Sequence, residues 1–294
     1  MTRDRRQIKK EQKVMKPLKE LNLLDRFLFD EVMEDPQTAR DILEILLGRE
    51  VPLLDHNETE KEYRRSPQYR SIRIDVFALD TEGNIYDAEM QGKNTGNLPR
   101  RSRLYESHIN VSLLAPGETD FNKLNDVYVI IIAPFDLWGM GRYRYTFRMG
   151  CEEVPGLHLE DGATRIFLNT RGTKPDGVSR ELVDFLHYVE DSSLKEKDAE
   201  LSEKLSRIHD RVQRVKESEE VGVKYMQRWE ELAYAKAEAR EEGIKKGIQQ
   251  GIEQGRKEER VFTEQERKRA EQAENELKSL REELEELRKR IVDK

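Results

Sequence analysis

Residues 70–91 read RSIRIDVFALDTEGNIYDAEMQ, and the alternation inside this stretch decides how the rest of the chain is read. From Ile72 to Leu79, the residues Ile72, Ile74, Val76 and Ala78 alternate with Arg73, Asp75, Phe77 and Leu79, the period of two that a strand imposes. Thr81-Glu82-Gly83-Asn84 supplies turn residues that tolerate positive φ. From Ile85 the alternation resumes, with Tyr86, Ala88 and Met90 set against Asp87, Glu89 and Gln91. Two strands and a short loop make a hairpin. If the even-numbered residues of both strands share a buried face, the odd-numbered ones share the other, because a slip of one residue would turn every side chain over. A loop of three or five residues centred near Gly83 keeps that parity and sets Asp75 opposite Glu89 or Gln91. Cross-strand neighbours stand about 4.5–5.5 Å apart at Cβ, so two carboxylates placed this way repel unless a cation lies between them. Oxygen ligands of this kind suit Mg²⁺ or Mn²⁺.

Asp75 followed by Glu89-Met90-Gln91 on the next strand resembles the D…(D/E)-X-K signature of PD-(D/E)XK nucleases, in the variant with glutamine in place of lysine. More closely, the chain resembles the Rpn-type recombination-promoting nucleases, also described as PD-(D/E)XK nuclease family transposases. The likeness runs from Leu21 to about Gly255 through LNLLDRFLFDEVMED, IRIDVFALD, YDAEMQ, RRSRLYESHI, IIIAPFDLWG, TRIFLNTRG and VKYMQRWEE. It implies an α/β, restriction-endonuclease-like mixed sheet flanked by helices, with a C-terminal helical and coiled-coil extension. It also implies a Mg²⁺- or Mn²⁺-dependent DNA endonuclease, with Asp75 and Glu89 as metal ligands and Gln91 orienting the attacking water. Glutamine cannot stabilise developing negative charge as an ammonium does. The resemblance links such an enzyme to recombination, transposition or defence against foreign DNA. The competing expectation is a nuclease fold with weak or lost catalysis, kept as a coiled-coil scaffold that binds DNA or protein.

Outward from the hairpin, Leu21–Glu34 and Gln37–Leu47 show helical spacing on either side of Asp35-Pro36. In nucleases of this fold a helix before the hairpin often adds a carboxylate, a role open to Glu31 or Asp30. After the hairpin, Pro99 can occupy a first helical turn, and Arg100–Leu114 carries Arg101, Tyr105 and His108 on neighbouring parts of one face. That segment reads as a crossover to the apolar strand Val127–Ala133. The resemblance implies that Arg101 contacts a phosphate through its planar fork and that Tyr105 hydrogen-bonds it. Further strands are expected over Arg144–Met149 and Thr164–Asn169, and a helix over Glu181–Val189.

The chain of 294 residues carries 38% charged residues and a net charge of -7, so contact with DNA requires a local basic patch. The single cysteine, Cys151, excludes an internal disulfide and fits a reducing, cytoplasmic setting. Histidines lack the paired spacing of a zinc motif, and no phosphate-binding glycine loop or serine-nucleophile elbow occurs. The expected organisation is a basic arm over 1–20, a nuclease-like domain over 21–191, a helical region over 192–242, a glycine-repeat helix over 243–260 and a coiled coil over 261–294. Tyr225-Met226-Gln227-Arg228-Trp229 is expected to dock on the domain or a partner helix. Gly243, Gly247, Gly251 and Gly255 mark either a close helix contact or a hinge. Ala270, Ala273, Leu277, Leu280, Leu284, Leu287 and Ile291 alternate spacings of three and four, the heptad seam of a homodimeric coiled coil.

Overall fold

The computed structural model describes residues 15–52, 58–63, 72–113, 117–193 and 201–292, with the backbone alone for 58–63, 72–77, 112 and 286–292. Most of the basic arm and the side chains of Asp75, Leu287 and Ile291 lie outside the described residues. The chain divides into two compact units, residues 1–226 and 227–294.

In the first unit the expected hairpin forms from β2 (Ile72–Leu79) and β3 (Ile85–Met90), joined by the five residues 80–84. Asp80 builds this turn: its Oδ1 accepts the backbone N–H groups of Glu82 and Asn84 at 2.9 and 2.8 Å. Gly83 sits at φ 86°, the left-handed region that a side chain disfavours. The pairs Val76–Ala88 and Phe77–Asp87 fix the register, which continued by one residue sets the Asp75 backbone across from Glu89. Parity and loop length are as the sequence reading has them.

The hairpin's place in the sheet is less exposed than alternation suggests. Strand order is β1-β2-β3-β4-β6-β5, with β1 at Glu58–Tyr63, β4 at Val127–Ala133, β5 at Arg144–Phe147 and β6 at Ala163–Asn169. β3, β4 and β6 run parallel, while β1–β2, β2–β3 and β5–β6 are antiparallel. β3 therefore lies inside the sheet, and all six of its residues are buried. The sequence reading has no strand before Ile72: β1 reads ETEKEY, with no apolar alternation, and pairing along β2 makes it a strand.

Helices cover both faces. On one side α1 (Arg26–Met33), α2 (Pro36–Leu47), α4 (Arg180–Glu190) and α5 (Glu203–Glu217) close a core with Tyr86, Ala88, Ile130, Ile132 and Leu168. On the other side α3 (Leu98–Leu113) lays Leu98, Tyr105 and Ile109 against Ile85, Val129, Ile131 and Phe167. Capping explains the breaks between α1 and α2. Asp25 accepts from Phe27 N–H, Asp35 accepts from Thr38 N–H, and Pro36 fills the first position of α2, where its missing N–H costs nothing.

The core continues past residue 191. Leu205, Ile208, Val212 and Val215 of α5 are buried with the sheet-facing residues, because the segment pairs an apolar stripe at helical spacing with a charged outer face. Of the Tyr225–Trp229 cluster, Tyr225 docks here, its ring 5.0 Å from that of Phe27 and its hydroxyl donating to the Lys16 carbonyl at 2.9 Å, while Met226 stays exposed.

In the second unit the chain is helical as part of α6 (Glu219–Val292). The four glycines lie inside that helix, so the segment is not a break in it. Pairs such as Glu241–Lys245 and Glu253–Lys257 support it in the favourable Glu-to-Lys order. Ile244, Ile248, Ile252, Leu277, Leu280 and Leu284 are each more than half exposed.

Candidate active site

β3 carries the site because its odd-numbered residues face α3. Glu89 lies near the C-terminal end of that strand at 1% exposure, and Arg101 lies one turn into the helix above it. The Arg101 guanidinium holds three partners. Nη2 donates to Glu89 Oε2 at 3.0 Å, Nη1 donates to Gln91 Oε1 at 2.7 Å, and Nε donates to the Tyr105 hydroxyl. Its carbon also sits 5.1 Å from the centre of the Tyr105 ring, so one residue of α3 fixes both the charge and the next turn of the helix. Four of the residues expected from the sequence, Glu89, Gln91, Arg101 and Tyr105, thus come together in one hydrogen-bonded cluster. Gln91 is engaged at both ends, since its Nε2 donates to the Lys93 carbonyl at 2.8 Å.

Glu31 is not brought into this cluster. It is buried on α1, its carboxylate 3.5 Å from Lys224 Nζ, and its backbone carbonyl accepts from Arg211 at 3.1 Å. One helical residue is a turn of about 100°, enough to send Glu31 toward α5 and α6 while Asp30 stays on the side of Arg26. Asp30 lies 3.9 Å from Arg26, whose charge reaches Asp87 and Glu89. Of the two acidic residues weighed on this helix, Asp30 shares the face nearer the site.

Asp87 is the residue that sequence reading passed over. It lies two positions before Glu89 on the same face of β3 and is fully buried. Neither of its carboxylate oxygens has a hydrogen-bond partner, and Glu89 Oε1 is likewise without one. The signal was present in the alternation, which placed Asp87 with Glu89 and Gln91, but the two-carboxylate motif has no position for it. Burial pushes the Asp87 carboxyl well above the ordinary carboxylate range, and the neighbouring Glu89 charge adds to the rise. Glu89 is pushed up to about 7 by burial, against the opposing charges of Arg101 and Arg26 and a hydrogen bond from Tyr105. Burial and the Glu89 charge also raise Tyr105, keeping its phenol neutral.

These orphaned oxygens fit a hard divalent cation, which takes carboxylate oxygens readily. Among the described residues no three histidine, cysteine or acidic side chains converge as a complete ligand set. Asp75, at the facing register position, contributes only backbone to that description.

The surroundings of the site are electrically lopsided. At the C-terminal ends of β3, β4 and β6 the loops present exposed Lys93, Arg142, Arg171 and Lys174, and backbone bonding between Gly141 and Lys174 ties two of these loops together. At the opposite edge the loops carry Glu82, Glu118, Asp120, Glu153, Glu160 and Asp161. The C-terminal-edge loops also hold Asp136 and Asp176, and Lys123 and Arg148 lie toward the opposite edge, so where Glu89 and Gln91 lie the basic excess is four cations against two carboxylates.

The family model described as PD-(D/E)XK nuclease family transposase matches residues 28–242, well over half of the chain. The match takes in the whole sheet, α1 from its third residue, α2 to α5 and the start of α6. No curated protein and no solved structure matches the chain. Among the described residues no helix is long and apolar enough to cross a membrane.

Proposed function

The chain belongs to the PD-(D/E)XK nuclease family transposases, and from that premise we propose that it is a divalent-metal-dependent endonuclease cutting DNA phosphodiesters, acting in recombination, transposition or defence against foreign DNA. One observation carries the reading: buried Glu89 is gripped by Arg101 through one oxygen while its other oxygen has no partner. Asp75 and Glu89 would hold Mg²⁺ or Mn²⁺ between them. The cation supplies Lewis acidity and neutralises charge at the scissile phosphate.

The rest is the work of the protein's own groups. Arg101 is one turn from the strand end, and its guanidinium can exchange a contact with Gln91 for a phosphate oxygen without leaving Glu89, because its fork offers five N–H donors. Tyr105 stays protonated and holds Arg101 in place, an orienting role. Gln91 is held to Arg101 and to the Lys93 carbonyl, which makes it a spacer for the guanidinium until substrate displaces one bond. The basic loops bearing Lys93, Arg142, Arg171 and Lys174 would carry the flanking DNA backbone, since sequence-independent contact is made to phosphate.

A second reading rests on the second unit. Its exposed Leu277, Leu280 and Leu284 suit a homodimeric coiled coil, and with a spent catalytic centre the protein would serve as a binding scaffold. As an enzyme, the same dimer would bring two centres to one duplex.

Nicking of supercoiled plasmid with Mg²⁺ or Mn²⁺, run beside folded Asp75→Ala and Glu89→Gln proteins, separates the readings. Cleavage lost in both variants supports the endonuclease. Absence of cleavage by the wild type with either ion, together with intact DNA binding, favours the scaffold.

A further inference from the structure

We propose that Asp87 is a further ligand of the divalent cation assigned above to Glu89, so that the cation is gripped by neighbouring residues of one strand as well as across the hairpin. The inference rests on the metal-dependent reading and adds a residue that the two-carboxylate signature does not contain.

The argument is one of missing partners. Asp87 has no exposed surface, and no donor reaches either of its oxygens. Its neighbours in the sheet register are Phe77 on β2 and Val129 on β4, which offer no polar side-chain atom. Above it on α3, the Tyr105 hydroxyl accepts from Arg101 and hydrogen-bonds Glu89, not Asp87. Arg101 itself is spent on Glu89, Gln91 and Tyr105, and Arg26, 3.9 Å from Asp30, makes no hydrogen bond to Asp87. The described protein therefore supplies nothing that satisfies Asp87. A single proton does not resolve this, because shared between Asp87 and Glu89 it would occupy two of the three orphaned oxygens and leave the third without a partner. A cation does. Asp87 and Glu89 leave the same face of one strand, and three of their four oxygens are free of partners. Buried carboxylates in that state are paired or coordinate metal, and the all-oxygen set selects Mg²⁺ or Mn²⁺ over softer ions.

The test is Mn²⁺ binding to the full-length protein, read by loss of the free-ion paramagnetic resonance signal and by melting curves with and without Mn²⁺. The proteins compared are wild type, Asp87→Asn, Asp87→Ser, Glu89→Gln and a Glu106→Gln control, whose carboxylate pairs with Arg165 at 2.6 Å away from the cluster. The expected result is that Asp87→Asn weakens Mn²⁺ binding by roughly tenfold or more and shrinks the melting shift that Mn²⁺ produces. Asp87→Ser should show the same loss of Mn²⁺ affinity and keeps the test open if the amide variant folds poorly. Wild-type affinity and shift in both Asp87 variants, with both lost in Glu89→Gln, would overturn the role of Asp87 and leave the metal-dependent reading standing. A wild-type protein that takes up no Mn²⁺ would overturn both.

Discussion

Asp80 and Asp87 belong to the same hairpin, each at 1% exposure or less, and their surroundings are opposite. Asp80 collects the backbone N–H groups of Glu82 and Asn84, the Asn84 amide at 2.8 Å and the Tyr86 hydroxyl at 2.6 Å. Asp87 collects nothing. Burial pushes both carboxyls up, but at Asp80 the hydrogen bonds from Tyr86 and Asn84 prevail and hold it below its ordinary value, whereas at Asp87 nothing comparable opposes the rise. Equal burial thus conceals two kinds of carboxylate. One is finished by the fold and serves it; the other is left open by the fold, which is how a ligand site differs from a turn.

The largest effect that sharpens this contrast is on catalysis. Replacing Glu89 by Gln should lower plasmid nicking by roughly a thousandfold or more, since a ligand and a charge in the site are lost together. Arg101→Ala should follow, with a loss of about one to two orders of magnitude in the same assay, and Arg101→Lys should recover only part of it. A lysine ammonium cannot span Glu89, Gln91 and Tyr105 at once. Recovery to wild-type rates by the lysine variant would reduce Arg101 to a point charge.

Asp80→Asn is expected to act on stability where Asp87→Asn acts on metal binding. It should destabilise the protein by about 2–3 kcal/mol in chemical denaturation, because the turn donors lose charged acceptors and the amide brings a donor of its own. The pH dependence follows from the lowered carboxyl of Asp80. The stabilisation is present above its unfolded value of 3.8 and is lost as pH falls through the still lower folded value. The acid limb of the stability curve should therefore flatten in Asp80→Asn. An unchanged limb would show that the turn is not what acid disrupts.

The smallest effect concerns His209, whose Nδ1 lies 3.1 Å from the Tyr188 hydroxyl and which burial holds below its ordinary value of 6.5. Here the unfolded state takes up the proton first, so stability contributed by neutral His209 is full above pH 6.5 and declines as pH falls below it. His209→Gln should remove that decline and cost no more than about 1 kcal/mol at pH 7. Melting curves at pH 5 and 7 measure both.

Much of this was legible because it is local. The parity of residues 72–91, a turn of three or five residues near Gly83, the apolar strand Val127–Ala133 and the helix that follows the hairpin are all set by spacing, and each forms with little displacement, the turn taking five residues. Glu89 and Gln91 were legible together because the strand period puts them on one face, and Arg101 and Tyr105 because the helix that carries them resembles the one flanking the site in the family. The strand Glu58–Tyr63 was not legible, since its charged residues take strand form only by pairing with β2. Nor was the direction of Glu31, which depends on α5 and α6 packing beside α1 and offering it Lys224 and the Arg211 contact.

What the sequence by itself determined is the alternation that puts Asp87, Glu89 and Gln91 on one face, because side-chain direction along a strand has a fixed period. What only the tertiary structure decided is which of those groups is satisfied. That depends on α3 bringing Arg101 to Glu89 and on β2 and β4 presenting Phe77 and Val129 beside Asp87, and hydrogen-bond partners distant in sequence are assigned by packing.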